Sequence, residues 1–404
     1  MIDFSDPAFL QDPYPTLNEV REVTPIFQGT QSQNEGSDIW FLTRYDDVAQ
    51  SQRDRRLGRV PEPVLTREEV GLPPLRQDWA PYYAVEQWSL LMLEGADHTR
   101  LRRLISREFT PRRVQSLRPK ISAHADRFLE RAREHGEFDL IRDYAQPYSV
   151  HVIAELLGAP TDDWELMLDW SHRIVKMYEL GTTEEQAADA VAASGEFDAW
   201  CRELITLRRA KPTDDLISGL CTVETDDGRL SDEEIVSTMV LLLNAGHEAT
   251  VNTLGNGVTS LLENRDQWRR LVGGEVEPTT AVEELIRYDP PLQLFERWVL
   301  TDGYEIAGAE IGKGERIGML FGSANRDPRH FDDPDTFDVG RGDSSHITFG
   351  GGIHFCVGAP LARLEVEVAL ERLSAWCPDL ELITAPRRNP AFVIHGYEAV
   401  DVRC

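Results

Sequence analysis

Along most of this chain apolar residues recur every three to four positions, the spacing that lines one face of an α-helix. The pattern predicts helices over roughly 97 to 108, 112 to 134, 142 to 157, 162 to 178, 183 to 210, 231 to 263 and 278 to 288. Strand-like runs lie near the two ends: 25 to 27 and 38 to 43 read as a hairpin followed by a short helix, and 292 to 300 and 315 to 321 as later strands. A proline-rich stretch reaching from Pro61 to Pro81 reads as a long loop. Neither a repeat nor a low-complexity tract divides the sequence, so one domain over residues 1 to 404 is expected, mainly α with a minor β-sheet region.

One predicted helix is unusual. Ser231-Asp232-Glu233-Glu234 has the form of a capping box, and helical spacing persists to about Glu263. Such a helix spans roughly 50 Å and must cross the molecule. Its apolar first half, Met239 to Leu243, is too short for a membrane span and is broken by Asn244, Gly246, His247 and Glu248. These polar residues read either as helix–helix hydrogen bonds or as a site.

Residues 349 to 358, Phe-Gly-Gly-Gly-Ile-His-Phe-Cys-Val-Gly, set Cys356 among four glycines just ahead of a helical pattern from Ala359 to Trp376. Glycine lets the backbone bend and bring its N–H groups close to the sulfur. A following helix directs its N-terminal dipole at that sulfur, which favours a metal-binding thiolate. The segment resembles the haem-binding signature of the cytochrome P-450 (haem-thiolate) monooxygenases, with Phe349, Gly352, His354, Cys356 and Gly358 at its defining positions. The resemblance implies the cytochrome P-450 fold, with haem b (iron protoporphyrin IX) between a long central helix and a C-terminal cysteine loop and helix, and Cys356 as iron ligand. No second cysteine or close histidine pair stands at zinc-ligand spacing from Cys356.

Further segments match the family in order. Ala245-Gly246-His247-Glu248-Ala249-Thr250 resembles its oxygen-binding segment. There Gly246 is expected to make room over the haem and Glu248 to be the acid, but Ala249 stands where a threonine is usual. Thr250 is turned about 100° round the helix, and without a bulge it cannot substitute. Ordered water, Thr250 through such a bulge, or a substrate hydroxyl is therefore expected to complete proton delivery. His98 and Arg102, spaced i, i+4, together with Arg297 and His354, are expected to hold the two haem propionates. Glu284 and Arg287, joined by Arg341, match the family's fold-holding E-x-x-R network. An apolar pocket is expected from Trp79, Tyr82, Tyr83, Trp88 and Leu91, from Leu242, Ala245 and Ala249, and from Leu292 to Phe295, with Ile174, Val175 and Tyr178 as roof. Any of these is equally at home in an ordinary core.

A net charge of -28 and a pI near 4.7 disfavour nucleic acid and anionic membranes as partners. The N-terminus shows no targeting pattern, and five scattered cysteines suit reduced thiols, so a cytoplasmic monomer is expected. Against that charge, residues 98 to 120 hold eight Arg or Lys and one Glu, a local +7. The resemblance implies an acidic ferredoxin docking there, at Arg103, Arg107 and Arg113, with a reductase drawing on NAD(P)H. The expected activity is oxygen insertion into a hydrophobic small molecule. An atypical reaction (peroxide-driven, phenol-coupling or isomerising), which Ala249 encourages, and a non-enzymatic haem sensor or carrier remain open at this point.

Overall fold

The central helix forms over Asp232–Glu263, about 48 Å long, and its capping box closes in both directions: Glu234 N donates to Ser231 Oγ at 3.2 Å and Ser231 N to Glu234 Oε2 at 2.8 Å. The computed structural model describes residues 2–29, 38–62, 64–225 and 228–404. Helices Gln146–Leu157, Trp164–Ile174, Glu184–Ala210, Pro278–Tyr288 and Ala359–Trp376 pack around the central helix and share its main apolar core. A five-stranded sheet lies to one side, ordered Ile26–Gly29, Ile39–Leu42, Arg316–Leu320, Leu294–Val299 and Leu57–Gly58. Its first two strands pair antiparallel, Ile26 opposite Leu42, as the expected hairpin requires. Among the described residues no helix is long and apolar enough to cross a membrane.

The predicted charge network is assembled and closed. Arg287 Nε and Nη2 donate to the two Glu284 carboxylate oxygens at 2.7 and 2.8 Å, and its Nη1 donates to the carbonyls of Asn325 and Pro334. Arg341 Nε lies 3.2 Å from Glu284 Oε2, and Asp338 N donates to Glu284 Oε1 at 2.9 Å. Both members of the helical pair are buried, yet each Glu284 oxygen and each Arg287 nitrogen has a partner, which is what makes buried charge tolerable.

Other expectations are corrected. Cys377 and Cys404 form a disulfide, so the cysteines are not all reduced; Cys201, Cys221 and Cys356 remain unbonded. Strand Asp401–Arg403 pairs with Glu381–Leu382 and Glu137–Asp139 and carries Cys404 back beside the end of the last long helix, a proximity that a separation of 27 residues does not signal. The stretch read as a loop up to Pro81 ends in a short 3-10 turn, Gln77–Trp79, and a helix, Ala80–Glu86. Helices Tyr14–Val23, Leu216–Thr222 and Arg265–Val272 lack a strong sequence signal. In the first, the buried stripe is only Tyr14, Leu17 and Arg21, and an arginine hides the apolar period.

Candidate active site

The cysteine loop is shaped by two glycines with positive φ, Gly350 at 72° and Gly352 at 64°. At Gly352 a Cβ would also lie 2.6 Å from the Gln52 carbonyl oxygen, so the loop can seat against helix Tyr45–Arg53 only without a side chain there. Cys356 N donates to Phe349 O at 2.8 Å and closes the turn. Its sulfur meets the N–H groups of Gly358 and Ala359 at the start of helix Ala359–Trp376, with the Arg102 and Arg363 guanidiniums nearby. Burial nevertheless raises the free thiol above its ordinary value, and these donors and cations pull only partly the other way. The loop is thus not a ready-made thiolate; a coordinating metal removes the thiol proton outright. Phe349 lies under the Arg363 guanidinium at 4.4 Å.

The four expected anion partners converge. His98 feels His354, Arg102 and Arg297, and the His98 and His354 rings lie 4.5 Å apart. A fifth residue, missed in the sequence, joins them: Arg59, half-buried, donates Nη1 to the Glu296 carbonyl at 2.9 Å and acts on both Arg297 and His354. It follows a two-residue strand in a stretch without motif, and only the sheet brings it here. The nearby carboxylates are Glu94, 3.1 Å from His354 Nε2, and Glu296, which Arg316 Nη1 shares at 3.2 Å. His354 Nε2 thus has a carboxylate partner in Glu94. Among the described residues His98 Nε2, Arg297 Nη1 and Arg59 Nε find no acceptor. Burial, then Arg59, lowers Arg297 to about 9; burial, then His354, lowers His98 to about 4. Such a donor set, short of acceptors and beside a half-buried cysteine, fits a group that brings two carboxylates and a metal.

Across from the cysteine loop, the central helix is buried along most of its length, yet Ala245 in its middle is exposed. Leu242, Ala245 and Ala249 share one face at i, i+3 and i+7, on which Ala245 is exposed and Ala249 half-buried. Gly246 does not make that room as expected: a Cβ there would meet Ile153 Cδ1 at 2.7 Å, so its smallness admits helix Gln146–Leu157. The helix runs unbroken without a bulge, and Thr250 Oγ1 donates to Gly246 O at 2.9 Å. Its hydroxyl is committed to the helix, which removes the bulge route. Glu248 instead turns toward His172 and His247, with Oε1 at 3.6 and 3.5 Å from their Nε2 atoms. Despite burial its carboxyl sits below the usual range, because the two imidazoles favour its charge.

The pocket walls are partly redistributed. Tyr82 and Tyr83 lie on helix Ala80–Glu86, and with Trp88 and Leu91 they are half-buried. Phe295 is capped by the Arg59 and Arg297 guanidiniums at 4.3 and 5.1 Å, and Leu292 packs between two core clusters, so both belong to the sheet's packing. Ile174 and Val175 are buried core. Tyr178 donates to Glu86 Oε1 at 2.8 Å, and burial raises that unpredicted carboxyl to about 7. The basic segment is largely neutralised: Arg100 pairs with Glu234, Arg113 with Asp214, Arg118 with Glu367 and Glu371, and Lys120 with Glu155. Arg103, Arg107 and Arg112 stay exposed. Arg107 lines a surface cleft of about 550 Å³ together with Asp214 and Asp215.

Residues 279–373 match the sequence model of the family described as Cytochrome P-450. The polyketide biosynthesis cytochrome P-450 PksS of Bacillus subtilis is 36% identical over 401 residues, 98% of this chain and 96% of the relative. The 6-deoxyerythronolide B hydroxylase of Saccharopolyspora erythraea is 36% identical, over 94% of this chain and 92% of its own. The solved PksS structure superposes with a TM-score of 0.89 over 100% of this chain and 99% of that one, at 33% identity. P450BioI in complex with a hexadec-9Z-enoic acid ligated acyl carrier protein gives 0.89 over 98% and 99%, at 32% identity.

Proposed function

The chain belongs to the cytochrome P-450 family and is a haem-thiolate monooxygenase, and from that premise we propose that it inserts one oxygen atom from O2 into a hydrophobic small molecule, by hydroxylation or epoxidation. Two electrons come from a ferredoxin and its reductase using NAD(P)H, and the enzyme works in the cytoplasm as a monomer built of one domain. The balance is RH, O2, two electrons and two protons giving ROH and water. A chain tethered to an acyl carrier protein, as in the P450BioI complex, is one member of the proposed substrate class.

One observation carries this reading: Cys356 has its sulfur against the first N–H groups of the last long helix and near Arg102, and Arg102 acts with Arg297 on His98 in a cluster where Arg297 and Arg59 each keep an N–H without an acceptor. Cys356 is the proposed iron ligand; Arg59, His98, Arg102 and Arg297 are the proposed propionate partners, and His354 orders Glu94 among them. When bound, the haem supplies the binding and reductive cleavage of O2, which a thiolate ligand favours. Ala245 and Ala249 leave the space above it open, and Leu242, Tyr82, Tyr83, Trp88 and Leu91 present apolar surface to substrate. Glu248 holds the proton-carrying position. His172, whose side chain is 39% exposed, links it to solvent, and a water or a substrate hydroxyl spans the last gap that Ala249 leaves. Exposed Ile353 and Phe355 flank the cysteine and, with Arg103, Arg107 and Arg113, form the proposed ferredoxin face.

The test is optical and then chemical. Reduced protein under CO should show the red-shifted band of thiolate haem, hydrophobic compounds should displace the iron's water ligand, and a hit should yield hydroxylated or epoxidised product with ferredoxin, reductase and NAD(P)H. Absence of the band ends the reading. The commitment of Thr250 to Gly246 favours a second reading, peroxide-driven or coupling chemistry; it prevails if peroxide supports product and ferredoxin does not.

A further inference from the structure

His172, on helix Trp164–Ile174, and His247 with Glu248, on the central helix, bring two imidazoles and a carboxylate together so that one donor atom from each lies within 4.8 Å of the others. Nothing in haem binding requires this. Glu248 Oε1 is 3.6 Å from His172 Nε2 and 3.5 Å from His247 Nε2, close to the roughly 3.3 Å that separates two ligands on a tetrahedral zinc with bonds near 2.0 Å. His247 is fully buried, and neither of its ring nitrogens makes a hydrogen bond among the described residues; Glu248 Oε1 likewise has none. Buried polar atoms left in this state cost about 1–3 kcal/mol each, and one metal ion relieves Glu248 Oε1 and one of the two His247 nitrogens. Gln146 Nε2 donates to His172 Nε2 at 3.4 Å, so a metal takes over that lone pair as the amide turns away, and the partly exposed His172 edge offers a way in. Of the charges that act on His172, Lys176 opposes a cation and Asp169 favours it, so they largely offset.

We propose that His172, His247 and Glu248 form a regulatory site for a borderline divalent cation of the zinc type, separate from the iron. Two nitrogens and one carboxylate oxygen suit zinc better than magnesium or calcium, which take oxygen ligands. Occupation uses the Glu248 oxygen and the His172 lone pair. On the proton-path reading above, it therefore closes the route from solvent to the oxygen-binding face.

Equilibrium dialysis of the haem-loaded enzyme against Zn2+ tests the site, with His172→Gln and His247→Gln dialysed in parallel after each shows an intact ferrous-CO band. Wild type should bind one more equivalent in the micromolar range than either variant. No binding below millimolar Zn2+, or equal stoichiometry in all three proteins, overturns the site. Turnover with ferredoxin and reductase, at the Zn2+ concentration that fills this equivalent, should fall about a hundredfold in wild type and be insensitive in His247→Gln. If the equivalent binds and wild-type turnover is unchanged, the site stands and the proton path through Glu248 and His172 is wrong.

Discussion

Two buried charge clusters, both centred on arginine, are built in opposite ways. Around Glu284 the network is closed: Arg287 and Arg341 fill the carboxylate, and carbonyls take the spare N–H groups. Around Glu94 it is open: Arg59, Arg102, Arg297 and two histidines face too few acceptors, and donors are left over. Closed charge is part of the scaffold, while open charge marks where something outside the chain completes the account.

The comparison can be broken first at its closed side. Arg287→Ala strands Glu284 in the core and should cost about 3–5 kcal/mol, visible as loss of soluble protein or a collapse of Tm. A haem-replete variant of wild-type Tm would contradict the scaffold role. At the open side, Glu86 adds a buried acid that feels Arg59, and burial raises it to about 7. A carboxyl raised in the folded state stabilises fully below its unfolded value and loses that contribution as pH climbs toward 7, by about 3 kcal/mol. Glu86→Gln should therefore flatten denaturant stability between pH 5 and 8, with its largest gain at the alkaline end; an unchanged pH slope removes the argument. Arg297→Gln should leave the polypeptide as stable without haem as wild type, yet weaken haem retention about 10–100-fold, measured as the rate of haem transfer to an acceptor protein. Equal losses with and without haem would make Arg297 scaffold after all. The smallest effect is expected at Ala249→Thr: product formed per NAD(P)H should change by less than about twofold, because protons already arrive through Glu248. A marked rise would mean the native relay is an impaired one.

How much was legible follows the same division. The E-x-x-R pair and its arginine could be read because i, i+3 spacing and a downstream loop are local signals. The cysteine loop was legible for a similar reason, since its glycines answer to backbone sterics at Gly350 and Gly352. Arg59 was not, because a two-residue edge strand carries no periodicity and its partners come from residues more than thirty positions away, Glu94 and Glu296 among them. Gly246 misled: a glycine in a helix looks like room for a ligand until the neighbouring helix is seen filling it with Ile153. The pairing of part of the basic segment was not legible either, since Asp214 and Glu371, which meet Arg113 and Arg118, lie far along the chain.

From the sequence alone came the helical class, the capped central helix, the glycine-shaped cysteine loop and the missing hydroxyl at 249, all properties of neighbouring residues or of one helix period. Which polar groups are satisfied was decided only in three dimensions. The disulfide of Cys377 with Cys404, the surplus of donors around Arg297, and the turn of Glu248 toward His172 all depend on burial and on partners distant in sequence. Desolvation and pairing act through space, and spacing along the chain does not encode them.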